Sequence, residues 1–323
     1  MSERYWMGFD LGGTKMLAKV YDRDFNTLGR CRNKSRGREG VKAGLARMVE
    51  TARGALDEAG LPARKLSGIG VGCPGPLDLD KGVVLSTPNL GWTNVPVKAT
   101  LEKALGCPAV IANDVDAGVY GEYRFGAAQG ARCVVGVFPG TGIGGGAVYE
   151  GRILRGAKGS SMEIGHIPVE RNGAVCGCGR RGCLETVASR LAISAAAARA
   201  VYRGEAPHLA KDAGSDLAEI RSGALRRSMK AGDAAVEVIL RDAARTIGWA
   251  MAGVVNMLAP DTVVLGGGLV EEMPGLFSKE VAAGLHEQVM PAFAGSYDVK
   301  VAQLGDDAGV QGAAAWAEAV VSA

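Results

Sequence analysis

At 323 residues the chain is twice a common domain length, which points to two domains or lobes. A composition of 47% hydrophobic and 22% charged residues is that of a globular protein, and a formal net charge of +3 gives no reason to expect nucleic acid or a membrane surface as partner. No segment approaches the run of about 18 apolar residues that a transmembrane helix needs, and residues 1–6 lack the apolar core of an export signal, so the expected location is the cytoplasm.

Residues 5–10 (Tyr-Trp-Met-Gly-Phe-Asp) read as a short strand ending in the turn Leu11-Gly12-Gly13-Thr14-Lys15, and residues 16–21 continue as a second strand, which predicts a hairpin. Helical spacing covers residues 40–59 and stops at Gly60 and Pro62. A buried strand at 67–72 runs into Cys73-Pro74-Gly75-Pro76, a helix at 96–105 follows, and a strand at 108–112 delivers Asn113 and Asp114. The pattern then restarts. Residues 133–138 form a strand, 139–146 a glycine turn, and 147–149 begin the returning strand. Strand, glycine turn and strand thus occur twice, roughly 130 residues apart, as in a duplicated α/β unit with a cleft between its halves. Residues 234–258 carry the longest helical pattern, with Val236, Leu240, Ala244, Ile247, Met251 and Val255 on or near one face and Pro260 ending it. A strand at 262–265 leads to the third glycine turn, Gly266-Gly267-Gly268, followed by a helix near 275–290, a strand at 298–304 and a closing helix over about 307–320. The polar stretch 203–234 reads as surface helices and loops.

Glycine frees consecutive backbone N–H groups to cradle phosphate oxygens, so three glycine turns after strands imply a nucleotide. The dipeptide Gly-Lys is absent, which excludes a P-loop. Gly140, Gly142 and Gly145 satisfy G-x-G-x-x-G, but a strand follows them where a dinucleotide fold needs a helix. Asp10, at the end of the first strand, supplies the anion that a Mg²⁺–nucleotide complex requires, through a bound water.

In order, the chain carries Asp10-Leu11-Gly12-Gly13-Thr14-Lys15, Asn113-Asp114, residues 140–146 (Gly-Thr-Gly-Ile-Gly-Gly-Gly), Glu163-Ile164-Gly165-His166 and the block 176–185 (Cys-Gly-Cys-Gly-Arg-Arg-Gly-Cys-Leu-Glu). Together these resemble the ROK family, chiefly its bacterial glucokinases and related hexose kinases, over essentially the whole chain. The resemblance implies an α/β fold of the actin-like ATPase (ribonuclease H-like) type, two lobes around a central cleft, ATP–Mg²⁺ as donor, a neutral hexose as acceptor, and a homodimer. The expected division is a small lobe of residues 1–115, to which a helix at 305–323 returns, and a large lobe of 116–304. The ATP and Mg²⁺ contacts fall on Asp10, Gly12, Gly13, Thr14, Lys15, Gly140, Thr141, Gly142 and Gly267.

His166, Cys176, Cys178 and Cys183 offer one imidazole and three thiolates, the Cys₃His set that Zn²⁺ favours in closed tetrahedral sites, with Gly177, Gly179 and Gly182 freeing the loop to wrap an ion. In the family this zinc is structural and borders the sugar. Cys31, Cys73, Cys107 and Cys133 are scattered and read as buried hydrophobes.

A sugar hydroxyl must shed its proton during transfer, and a carboxylate at a strand end can accept it. Asp114 is the candidate base; the alternative reading makes it the N-cap of a helix at 115–124. Asp116 reads as structural or solvent-facing, and Asp78 and Asp80 as surface groups. The family match adds Asn89, Asn113, Glu163, His166 and Glu185 as hydroxyl partners beside Asp114. One departure concerns the residues before Glu163: the family usually carries Ala-Gly, and this chain has Ser161-Met162. A sugar-responsive repressor is the competing reading, but only nine residues precede Asp10, too few for a helix-turn-helix.

Overall fold

The computed structural model describes residues 4–87, 89–157 and 161–322. The first half opens with the hairpin expected from the glycine turn: β1 (Tyr5–Leu11) pairs antiparallel with β2 (Lys15–Tyr21), and β3 (Thr27–Lys34) adds to its edge. Helix α1 (Val41–Ala59) leads to β4 (Leu66–Cys73), parallel to β1. A small sheet of β5 (Leu77–Asp78), β6 (Val83–Thr87) and β7 (Trp92–Val95) intervenes before α2 (Val97–Leu105), β8 (Ala109–Asn113) and α3 (Asp114–Phe125). The main sheet has the order β3-β2-β1-β4-β8.

Alternation along β1 explains its near-continuous hydrophobicity. Met7, Phe9 and Leu11 enter a core with Met48, Ala52 and Ala55 of α1. Gly8 lies on the other face, against the C-terminal helix Ala308–Val321. A Cβ at Gly8 would lie 1.8 Å from the Val310 carbonyl oxygen, and one at Gly70 of β4 would lie 1.8 Å from that of Ala313. Parallel strands buried on both faces need apolar side chains on one side, and here bare backbone on the other.

The second half repeats the pattern. β9 (Cys133–Pro139), β10 (Ile143–Tyr149) and β11 (Arg152–Ile153) are followed by α4 (Glu185–Ala188), α5 (Arg190–Tyr202), α6 (Pro207–Asp212), α7 (Ser222–Ala231) and α8 (Ala234–Leu258). Then come β12 (Thr262–Leu265), α9 (Gly268–Glu272), α10 (Pro274–Gln288) and β13 (Asp298–Val301). The sheet order β11-β10-β9-β12-β13 reproduces that of the first sheet, third-second-first-fourth-fifth in each case, so the duplication read from the glycine turns holds.

Three expectations change. The strand after the second glycine turn begins at Ile143, not at residue 147, because glycines 144–146 lie within it. The strand expected at 298–304 ends at Val301. The stretch 203–234 is anchored, not merely superficial: the buried Asp233 carboxylate accepts from the backbone N–H of His208 and Leu209 and from the Ser228 hydroxyl. All six residues assigned to the apolar face of α8 are buried.

The chain forms two compact units, one of Met1–Gly130, Ala147–Ser161 and Asp306–Ala323, the other of Ala131–Gly146 and Met162–Gly305. Helix α3 thus belongs with the first unit, where the expected boundary at 115 assigned it to the second. It packs on the C-terminal helix so closely that a Cβ at Gly312 would lie 1.8 Å from the Ala117 carbonyl oxygen. No helix among the described residues is long and apolar enough to cross a membrane.

Candidate active site

In the first unit the parallel strands β1, β4 and β8 run in register, Asp10 beside Gly72, Gly72 beside Ala112 and Cys73 beside Asn113. Their carboxyl ends therefore share one edge, where α/β sheets bind ligands. Asp10 and Asp114 meet there. Burial, then the Asp114 carboxylate, pushes Asp10 up to about 6; Asp306 adds to the rise, and Lys15 and Arg32 oppose it.

Asn113, not Asp114, caps α3. Its Oδ1 accepts from the backbone N–H of Val115 at 2.9 Å and of Asp116 at 3.3 Å. That leaves only the amide N–H₂ of Asn113 for a hydroxyl. Asp114 opens the helix, with its Oδ1 3.0 Å from the Val115 nitrogen. Asp116 is buried, which removes the solvent-facing reading. Asp78 ends β5 and its carboxylate accepts from the Lys81 backbone N–H of the turn that follows.

The β1–β2 turn is pinned from three sides. Gly12 N–H donates to the Lys15 carbonyl at 3.0 Å, Ser35 N–H to the Thr14 carbonyl at 2.9 Å, and the Ser35 hydroxyl to the Gly12 carbonyl at 2.5 Å. Asn89 stands beside it: a Cβ at Gly13 would lie 3.0 Å from the Asn89 Cβ. Lys15 Nζ lies 3.0 Å and Arg32 Nη2 3.1 Å from the same Asp306 oxygen. Sequence reasoning did not find Arg32 or Asp306. Their only signal was charge, and they lie far apart in the chain.

In the second unit the turn after β9 closes by Gly140 N–H donating to the Gly142 carbonyl at 2.8 Å. Gly267 lies against it, at φ +81°, where a Cβ would stand 2.8 Å from the Pro139 carbonyl oxygen. Arg190, also missed, donates its backbone N–H to the Gly140 carbonyl at 2.8 Å and its guanidinium to the Thr141 hydroxyl at 3.0 Å. Nearby, a cavity of about 910 Å³ is lined by Arg190, Glu219, Arg221, Ser222, Arg227 and Gly268, among others. Its size and mixed polar lining suit a nucleoside.

Glu185 joins this turn to the cysteine block. Its Oε2 accepts from the Ile143 N–H at 3.1 Å, and the Cys176 thiol lies 3.7 Å from its Oε1. Glu163 is exposed and opens the short turn that carries His166, whose N–H donates to the Glu163 carbonyl at 2.9 Å. Met162 sits at φ +55°, in the left-handed region that favours glycine, so the departure places a side chain at a strained backbone position.

His166 Nδ1 and the sulfurs of Cys176, Cys178 and Cys183 all lie within 4.8 Å of one another. Zn–S bonds of about 2.3 Å and Zn–N bonds of about 2.0 Å in a tetrahedron set S···S near 3.8 Å and S···N near 3.6 Å. The Cys178–Cys183 sulfur separation of 3.7 Å and the Cys176 sulfur to His166 Nδ1 distance of 3.5 Å fit that frame. Burial pushes the Cys183 thiol up to about 12, a cost that a bound divalent cation reverses by taking thiolates. His166 Nε2 stays available for another partner.

The ROK family profile matches residues 6–320. A glucokinase of Thermotoga maritima is 34% identical over 310 residues, covering 95% of either chain. Among solved structures, a ROK hexokinase from Thermus thermophilus superposes with a TM-score of 0.83 at 33% identity, over 98% of this chain and 99% of that one. A ROK family glucokinase from Streptomyces griseus, in complex with glucose and AMPPNP, gives the same TM-score at 30% identity over the same shares.

Proposed function

This chain belongs to the ROK family, and from that premise we propose that it is an ATP-dependent hexose kinase that phosphorylates the 6-hydroxyl of glucose. The fold is the actin-like ATPase fold and the protein is a sugar kinase. One observation carries the assignment of roles. Asp114 stands at the carboxyl end of β8 with the cap of α3 supplied by Asn113, and its charge reaches Asp10.

Asp114 acts as the base. As the sugar oxygen attacks the γ-phosphorus, its proton passes to the Asp114 carboxylate and the bond from phosphorus to the bridging oxygen breaks, the electron pair leaving on ADP. The turns at Gly12–Lys15 and Gly140–Gly142 would meet phosphate through backbone N–H groups other than those of Gly12 and Gly140, which close the turns themselves, and the Arg190-lined cavity takes the nucleoside. Asp10 would hold Mg²⁺ through water, and the ion supplies charge neutralisation at the phosphates when bound. Asn89, Asn113, Glu163, His166 and Glu185 are the partners of the remaining sugar hydroxyls.

His166, Cys176, Cys178 and Cys183 would hold a structural Zn²⁺ that fixes the His166 ring through Nδ1 and orients Nε2 toward a hydroxyl. A cytoplasmic homodimer completes the reading. The exposed apolar side chains of Trp249 and Met257 on α8 and of Met290 beyond α10 support the homodimer part of that reading.

The test is sugar-dependent ADP release from ATP–Mg²⁺ across glucose, mannose, fructose, N-acetylglucosamine and N-acetylmannosamine. Release fastest with glucose supports the reading. Preference for an N-acetylhexosamine moves the substrate, and silence with folded, zinc-loaded protein overturns the kinase.

A further inference from the structure

Both ends of the second glycine turn are held by the corner between α4 and α5. Glu185, which opens α4, accepts the Ile143 N–H, and Arg190, the first residue of α5, gives its backbone N–H to the Gly140 carbonyl. The Gly140 N–H is itself taken by the Gly142 carbonyl. Between these ties the N–H groups of Thr141 and Gly142 have no acceptor among the described residues. Consecutive free N–H groups in such a turn form an anion-binding concavity.

The Arg190 side chain comes back to the same turn, where its Nη2 donates to the Thr141 hydroxyl at 3.0 Å. With one lone pair of that oxygen engaged by the guanidinium, the Thr141 proton is left to donate to another acceptor. Helix stability does not account for Arg190. A cation on the first residue of a helix opposes the positive end of its dipole, and the cap of α5 comes from Ser189, whose hydroxyl accepts from the Ala192 N–H at 3.2 Å. Ion pairing does not account for it either. Among the cations lining the cavity of about 910 Å³, Arg227 is paired with Asp212 and Arg221 donates to the Ala218 carbonyl. Arg190 has no acidic partner among the described residues, and its guanidinium carries further N–H donors beyond the one on Thr141.

We propose that Arg190 binds the phosphate chain of the nucleotide where it passes from this cavity to the glycine turn, and that it stabilises the charge left on ADP during transfer. The proposal rests on the kinase reading above and adds a residue that lies outside every motif carrying the resemblance. One N–H of the guanidinium stays on Thr141, and the others meet oxygens of the α- and β-phosphates as a planar fork, a geometry an ammonium group lacks. In the transfer the sugar oxygen bonds to the γ-phosphorus, its proton goes to the Asp114 carboxylate, and the bond from that phosphorus to the β–γ bridging oxygen breaks. The electron pair stays on the bridging oxygen. Negative charge therefore grows on the β-phosphate, and a cation already fixed beside it stabilises the transition state more than the bound ground state.

The experiment uses the full-length, zinc-loaded protein and Arg190→Gln, which keeps the backbone N–H that holds Gly140. Binding of adenosine and of Mg²⁺–ADP is titrated by NMR, which also reads weak affinities, and turnover of ATP is measured with glucose. Adenosine is expected to bind both proteins alike. Mg²⁺–ADP affinity is expected to fall at least ~10-fold in the variant, the low end for a lost charge-assisted hydrogen bond, with kcat falling as well. Thr141→Val is expected to weaken Mg²⁺–ADP too, and the double variant to lose less than the product of the two single losses, because both changes remove one shared contact. The proposal is overturned if adenosine loses as much as ADP, since Arg190 then only supports the cavity. Unchanged ADP affinity and kcat also overturn it, as do single losses that multiply in the double variant. Should the wild type release no ADP with any sugar, the kinase reading fails by itself. Arg190 is then judged by the comparison of adenosine with Mg²⁺–ADP, where equal losses overturn it.

Discussion

In Asp10→Asn, a carboxyl that resists ionisation is replaced by a neutral amide of nearly the same shape. Burial and the Asp114 and Asp306 carboxylates raise Asp10 from an ordinary 3.8 to about 6. That rise of roughly two units corresponds to about 3 kcal/mol against the folded state, at ~1.4 kcal/mol per unit. The sign follows from the raised value. Below 3.8 both states hold the proton and the penalty is absent; it grows as pH rises from 3.8 to 6 and is complete above 6. The assay is urea unfolding without magnesium at pH 4 and pH 7.5. Asp10→Asn should match the wild type near pH 4 and exceed it by up to about 3 kcal/mol at pH 7.5. Mg²⁺–ATP affinity should be lost in the variant at every pH, and lost in the wild type only as pH falls through about 6. A variant less stable than wild type at pH 7.5, or a gap that ignores pH, refutes the argument that Asp10 trades stability for its ligand.

Asp114→Ala should lower kcat by at least ~10²-fold with ATP affinity largely kept, and, by removing the charge that raises Asp10, should shift the acid limb of Mg²⁺–ATP binding to lower pH; unchanged turnover refutes the base assignment. Removing zinc with a chelator, followed by atomic absorption, should open residues 163–186 to protease and abolish sugar binding before global unfolding; an apo-protein with normal sugar affinity argues against a structural metal. Gly70→Ala should cost roughly 2–3 kcal/mol in urea unfolding, because the new methyl meets the Ala313 backbone and the C-terminal helix must shift; an unchanged midpoint would mean the helix is not held against β4.

Much of the fold was legible because its signals are local. The β1–β2 hairpin, the strand that delivers Asn113 and the long α8 each follow from periodicity and turn residues within a short window. The Cys/His cluster was equally legible, since three of its four residues fall within eight positions and thiolate and imidazole together suit a narrow set of ions. Errors came where local rules compete. Glycines 144–146 read as turn but lie in β10, where the buried Gly145 packs against Met162 and Ile164 on either side of Glu163, because tertiary packing overrides strand propensity.

What the sequence by itself determined is the inventory: two strand–glycine–strand repeats, an acid at the end of the first strand, Asp114 after a strand, and a Cys₃His set. What only the tertiary structure decided is how the charges are shared. Asn113 takes the helix cap that sequence offered to Asp114, Glu185 bridges Ile143 and Cys176, and Asp306 holds both Lys15 and Arg32. The physical reason is that backbone hydrogen bonding and side-chain period are written in neighbouring residues. A pKa or an ion pair depends instead on groups that meet through space, here Asp306 and Lys15, 291 residues apart.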